Sequence, residues 1–233
     1  MKFFMKQMIF LLFGFLLFSP AAFTQTEAEL VKKVKEKLNR VNDYKAAGVM
    51  KIDVSFINAP QSNVVVLYKK PNKFRVKKDN GISLLPKGGV SVNINSLLGD
   101  DQYTIVPGGT ATYNGTPVKL VKLLPLKEGS DVVLTTLYIE EKLLVIRRAV
   151  VTTKDNGTYE ILLDYGKYLA WGLADKVVFS FNTKDYKLPK GITFEYEKGG
   201  AKKPAGPKDN KGRVEITYTS YQINKGVNDK EFE

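Results

Sequence analysis

The 233-residue chain has no cysteine, no histidine and only one tryptophan. Without the first two there is no zinc site of the usual type, no thiolate nucleophile and no imidazole general base. No disulfide can brace the fold, so packing alone must hold it. There is also no cysteine to lipidate, so the mature chain is expected not to be lipid-anchored. Glycine-rich phosphate loops are missing too: Gly88-Gly89 and Gly108-Gly109 read as turns, not as a loop that follows a strand and opens a helix. Two adjacent acid pairs, Asp100-Asp101 and Glu140-Glu141, are available for carboxylate chemistry. Neighbours on an extended chain point to opposite faces, so both pairs read as solvated turn residues rather than acid/base partners. The expectation is a non-enzymatic protein with no catalytic residues, metal or cofactor.

The charges that are present are mostly positive, with 36 Lys and Arg against 24 Asp and Glu. Lys69-Lys70, Lys73 and Lys77-Lys78 illustrate how the lysines are spread over many segments. That spread suits the solvated face of a sheet, where lysines also guard edges, and it suits attraction to lipid headgroups or an acidic partner. At the N-terminus, Lys2 and Lys6 precede an apolar run from Met8 to Phe18, and Ser19-Pro20-Ala21-Ala22 ends it. This order is that of a secretory leader, with cleavage expected between Thr24 and Gln25. The run is too short to span a bilayer, which takes about 20 residues as a helix. Residues 1–24 are thus read as a cleaved signal peptide and 25–233 as one periplasmic or secreted domain. That address argues against nucleic acid as a partner.

In the mature chain, Thr26-Glu27-Ala28-Glu29 is a capping box that opens a helix running to about Asn42. Leu30, Val31, Val34, Leu38 and Val41 form its apolar stripe. From Ala46 the period changes to two: Met50, Ile52, Val54 and Phe56 alternate with Lys51, Asp53 and Ser55. Further strands are expected at Val64–Tyr68, Phe74–Val76, Val90–Ile94, Tyr103–Val106, Lys119–Leu124, Val132–Ile139, Leu143–Val151, Tyr159–Asp164, Val177–Phe181, Ile192–Tyr196 and Val214–Ile223. Asn80-Gly81, Asn114-Gly115 and Asn156-Gly157 are hairpin turns. Asn95–Asp101 and Tyr165–Asp175 read as short helical turns, and Lys198–Gly212 as a mobile loop rich in lysine, glycine and proline. So many short strands imply a large antiparallel sheet, a sandwich or a barrel.

The stretch Val66-Leu67-Tyr68-Lys69-Lys70-Pro71-Asn72-Lys73-Phe74-Arg75-Val76 resembles the periplasmic lipoprotein-carrier family of the LolA/LolB type, in which two strands meet at a basic-basic-Pro-Asn-x-Phe turn. Asn114-Gly115-Thr116-Pro117-Val118-Lys119-Leu120, Leu124-Pro125, Leu137-Tyr138-Ile139, Arg147-Arg148 and Asp155-Asn156-Gly157 follow in the order of that family and of its relative, the stress regulator RseB. Ile223-Asn224-Lys225-Gly226-Val227 before Phe232 is similar as well. The resemblance implies a mainly β (α+β) fold: a strongly curved antiparallel sheet forming an incomplete half-barrel, with the N-terminal helix and short helices over the concave face. It also implies that acyl chains lie between sheet and helices.

On this resemblance and strand alternation, Met50, Ile52, Val54, Val66, Tyr68, Phe74 and Val76 are the expected cleft residues. Lys70 stands where the family has an arginine that latches the lid, and it lacks the planar fork for bidentate bonding. Tyr168, Leu169 and Trp171 are a candidate lid. The implied function is a monomeric carrier of lipoproteins or other lipids, which takes cargo from an inner-membrane release machinery to an outer-membrane acceptor. An RseB-like sensor is the alternative, and an envelope β-module with a dry, filled core is another. A charged residue at Val66 or Tyr68 is expected to weaken lipid binding and leave the protein folded.

Overall fold

A computed structural model describes residues 26–54, 61–78, 97–98, 102–155, 157–182 and 211–232. The leader and its cleavage point, Phe56, Asn80-Gly81, the strands expected at 90–94 and 192–196, Asp100-Asp101, Asn156 and nearly all of the loop 198–212 lie outside the described residues. Among the described residues, no helix is long and apolar enough to cross a membrane.

Helix α1 runs from Glu27 to Leu38, with Thr26 as its N-cap accepting a hydrogen bond from the Glu29 amide at 3.2 Å. Glu27 and Glu29 in the first turn and Lys35 and Lys37 in the last complement the helix dipole. The helix ends about one turn before the expected Asn42, because Asn39 caps it. Val41 still belongs to the buried stripe with Leu30, Val31, Val34 and Leu38.

Among the described residues ten strands follow: β1 (Asp43–Asp53), β2 (Ser62–Lys69), β3 (Lys73–Lys78), β4 (Tyr103–Tyr113), β5 (Thr116–Pro125), β6 (Val132–Glu140), β7 (Val145–Thr153), β8 (Thr158–Asp164), β9 (Lys176–Asn182) and β10 (Lys211–Ile223). They form one antiparallel sheet in the order β3-β2-β1-β10-β9-β8-β7-β6-β5-β4. The terminal strands β3 and β4 do not pair, so the sheet curls without closing: the half-barrel is open. The Asn114-Gly115 hairpin joins β4 to β5, with φ of 48° and 77° at its two central residues. Both values lie in the left-handed region that such a turn demands.

The curl lets one face of the sheet gather a single core from distant strands. Met50 and Val54 of β1 and the residue after it, Val66 and Tyr68 of β2, Val121 of β5, Leu137 of β6, Ala149 of β7, Ile161 of β8 and Phe179 of β9 belong to one buried cluster with α1's apolar stripe. Leu98 joins it. Bulges help bend the strands. One sits in β10, where the register slips between Ala47 and Gly48 of β1, so Thr219 is the extra residue. Gly48 suits this place: a Cβ there would stand 2.8 Å from the Thr217 carbonyl oxygen.

The chain end folds back over the outer face. Asn224, at φ 55°, accepts from the Asn42 amide at 2.7 Å and donates to the Arg40 carbonyl at 2.8 Å. Beyond it, Asp229 pairs with Lys69 at 2.9 Å and Lys73 at 3.1 Å, and Glu231 with Lys45 at 3.0 Å. The two lysines hold the exposed Asp229 carboxyl below its ordinary range. Leu67, which shares this outer face with Lys45 and Lys69, is fully buried.

Candidate functional site

The seven residues expected to line a cleft do share the inner face. Register places Val66 against Ala46 and Val76, and Tyr68 against Tyr44 and Phe74. Met50, Ile52 and Val54 follow at alternate positions along the same edge of β1. Five of the seven are buried, with Val66 at 0% and Tyr68 at 1% exposure, while Ile52 and Phe74 are partly buried against the same core. They line a packed floor beneath α1.

The other half of that floor comes mainly from β8, β9 and β10. Phe179 stacks on Tyr159 and on Phe181, each at 5.2 Å between ring centroids. A tyrosine cluster closes the end near α1's C-terminus: Tyr44–Tyr68 at 5.3 Å, Tyr44–Tyr221 at 5.3 Å, Tyr218–Tyr221 at 4.9 Å and Tyr168–Tyr221 at 4.6 Å. Tyr218 and Tyr221 are three residues apart, so simple alternation assigns them to opposite faces. The bulge at Thr219 returns both to the inner face. Only the small Gly48 opposite Tyr218 hints at this in the sequence.

Burial pushes the hydroxyls of Tyr44, Tyr218 and Tyr221 well above the ordinary phenol range, and neighbouring tyrosines push Tyr44 and Tyr221 further the same way. Phenols are neutral at physiological pH even at their ordinary pKa of about 10, so these hydroxyls carry no charge there. The Tyr221 hydroxyl donates to the Ala174 carbonyl at 2.8 Å, and the Tyr165 hydroxyl to the Ile146 carbonyl at 2.9 Å. These bonds let polar atoms sit in an apolar layer without loss.

The candidate lid is a short 3-10 helix, Leu169–Trp171. The Tyr168 hydroxyl accepts from the Tyr221 amide at 3.2 Å, which fixes the lid's start to β10. Gly172, at φ 69°, ends it, and a Cβ there would stand 3.1 Å from Leu38 and 3.6 Å from Lys37 of α1. The lid thus abuts the C-terminal end of α1. Trp171 points outward at 38% exposure, whereas Leu173 and Ala174 are buried. In place of a flat apolar cover, the segment has one anchored tyrosine and one exposed indole.

Lys70 lies just past β2 and is tied to α1, not to the 168–171 segment. Its amide donates to the Asn42 carbonyl at 2.8 Å, and its ammonium to the Asn39 carbonyl and to Asn42 Oδ1, the latter at 3.3 Å. Asn39 is the C-cap of α1, so the lysine meets the negative end of the helix dipole. A second lysine ties the helix to another turn: Lys37 donates to the Leu143 carbonyl, in the β6–β7 turn, at 2.7 Å. Burial and the neighbouring Arg40 charge lower the Lys37 ammonium's pKa. The acid pair at that turn is taken up structurally, Glu140 by Arg147 at 2.7 Å and Glu141 by Lys119 at 3.3 Å.

No protein-family model matches the chain, and no curated protein matches it in sequence. Solved structures do match in fold. A domain designated an outer membrane lipoprotein-sorting protein, from Vibrio parahaemolyticus, superposes with a TM-score of 0.55 at 10% identity, covering 87% of this chain and 95% of its own. A DUF1329 family protein from Desulfovibrio piger gives 0.54 at 12% identity, with 90% of this chain and 98% of its own covered. A LolA superfamily protein from Nitrosomonas europaea gives 0.54 at 10%, with the same coverages. At such identities the likeness is one of fold, and the fold is the one that the sequence resemblance implied.

Proposed function

We propose that the chain is a periplasmic lipid-binding protein that holds acyl chains between α1 and the concave sheet face and carries lipidated cargo towards the outer membrane. The observation that carries this reading is the separation of the apolar layer from the hydrogen bonds that keep it covered. The stripe of α1 meets the sheet through aliphatic side chains, whereas Lys37 and Lys70 fasten its C-terminal end to two different turns. Apolar contact is non-directional, so an acyl chain can replace α1's side chains against the floor. Each methylene it buries contributes about 0.8 kcal/mol. The C-terminal end of the helix lifts as the chain enters, releasing the Lys37 and Lys70 bonds.

A filled-core envelope module is the second reading, favoured by the near-complete burial of Val66, Tyr68 and their neighbours. The two separate on titration with a fluorescent fatty acid. A cleft gives saturable emission enhancement that a diacylated lipopeptide displaces. A filled core gives no saturable signal.

A further inference from the structure

One rim of the half-barrel combines the chain's only tryptophan with a group of cations, and the geometry points to this rim as a docking surface for the headgroup layer of an anionic bilayer. A chain of contacts brings the parts together. Trp171 is exposed at the tip of the lid, and the adjoining Gly172 lies against Lys37 and Leu38. Lys37 reaches the Leu143 carbonyl, which places exposed Lys142 at the same rim. Lys70 reaches the end of α1 beside exposed Arg40, and exposed Lys167 belongs to the lid segment itself.

The carboxylates in this region mostly have partners. Glu140 and Glu141 bind Arg147 and Lys119, and Asp175 accepts from the Gly166 and Lys167 amides. Asp175 keeps its charge beside these neutral amides, and Glu36 and Asp164 are exposed there, so five cations (Lys37, Arg40, Lys70, Lys142 and Lys167) face three carboxylates. Lys37 and Lys70 spend their hydrogen bonds on neutral carbonyl and amide groups and keep their charge available. An indole with an apolar body and one N–H is suited to the boundary between headgroups and acyl chains. Cations around it are drawn to anionic lipid. The two features serve one partner, and a bilayer supplies both the negative plane and the interfacial layer beneath it.

The single tryptophan is a built-in reporter. The protein is incubated with phosphatidylcholine vesicles made with and without phosphatidylglycerol, sedimented, and its emission recorded. The expected result is co-sedimentation and a blue shift with phosphatidylglycerol only, both lost at high salt. Replacing Arg40, Lys142 and Lys167 together by glutamine is expected to weaken vesicle binding roughly a hundredfold, at about fivefold per cation near the surface. These side chains are exposed, so the fold is expected to persist. Three results would overturn the proposal: no sedimentation with phosphatidylglycerol, sedimentation with unchanged emission, or tighter binding to soluble polyglutamate than to vesicles, which would point to an acidic protein. Bound cargo is scored separately, by lipid extraction from detergent-free protein. A failure to dock then leaves the proposed lipid-binding function standing, and loss of cargo leaves the docking result standing.

Discussion

Val66→Asp is expected to destabilise the protein severely rather than merely weaken a ligand. Val66 is fully buried in the middle strand of the β1-β2-β3 group, facing Ala46 on one side and Val76 on the other. The buried polar or charged side chains among the described residues are Asp43, Thr135 and Thr153, so no buried cation is there to meet a carboxylate. Burying that charge, or protonating it to avoid the burial, costs on the order of 4 kcal/mol. Typical domains have about 5–15 kcal/mol of stability in total. The partner test is Val65→Asp, one residue along and on the outer, half-exposed face, which is expected to cost far less. Urea unfolding followed by circular dichroism reads both. The expectation from sequence is a folded protein with weaker lipid binding, and the complete burial of Val66 adds a large loss of stability to it. Equal stability in the two variants would show that this strand's faces are wrongly assigned.

Tethering the C-terminal end of α1 is expected to abolish lipid uptake while leaving the protein folded. Lys37→Cys with Leu143→Cys puts two thiols at positions that already touch, in a chain that otherwise has none. A short bis-maleimide then links α1 to the β6–β7 turn. If the helix must shift for an acyl chain to reach the floor, locking it removes the competent population, and apparent affinity falls by at least about tenfold. The unlinked double variant keeps its uptake, which controls for the substitutions. Undiminished uptake after linking would mean that the acyl chain reaches the floor without movement at this end.

Much of the fold was legible because alternation in one strand is a local signal. Met50, Ile52 and Val54 announced a half-buried strand without any knowledge of its neighbours, and Asn114-Gly115 announced its hairpin through backbone chemistry alone. The apolar stripe of α1 was equally plain. Its stop at Asn39 was not, because the stripe continues to Val41 after the hydrogen-bonded turns have ended. The candidate site was harder to read, since it depends on how strands far apart in the chain curl towards one another. Phe179, Tyr159 and Ile161 looked like ordinary strand residues and became the opposite half of the floor. Tyr218 and Tyr221 were hidden by a bulge, which breaks the period on which the alternation rests. Lys70 was legible through its motif, but its partner, the carbonyl end of α1, became visible only once the helix had been placed.

Native mass spectrometry with lipid extraction, on protein purified from the periplasmic fraction without detergent, shows whether the layer between α1 and the sheet takes acyl chains. Co-purified phospholipid or acylated peptide is expected in near-stoichiometric amount. A lipid-free mass, from protein that also fails to take up an added diacylated lipopeptide, would contradict it and leave a filled-core envelope module in its place.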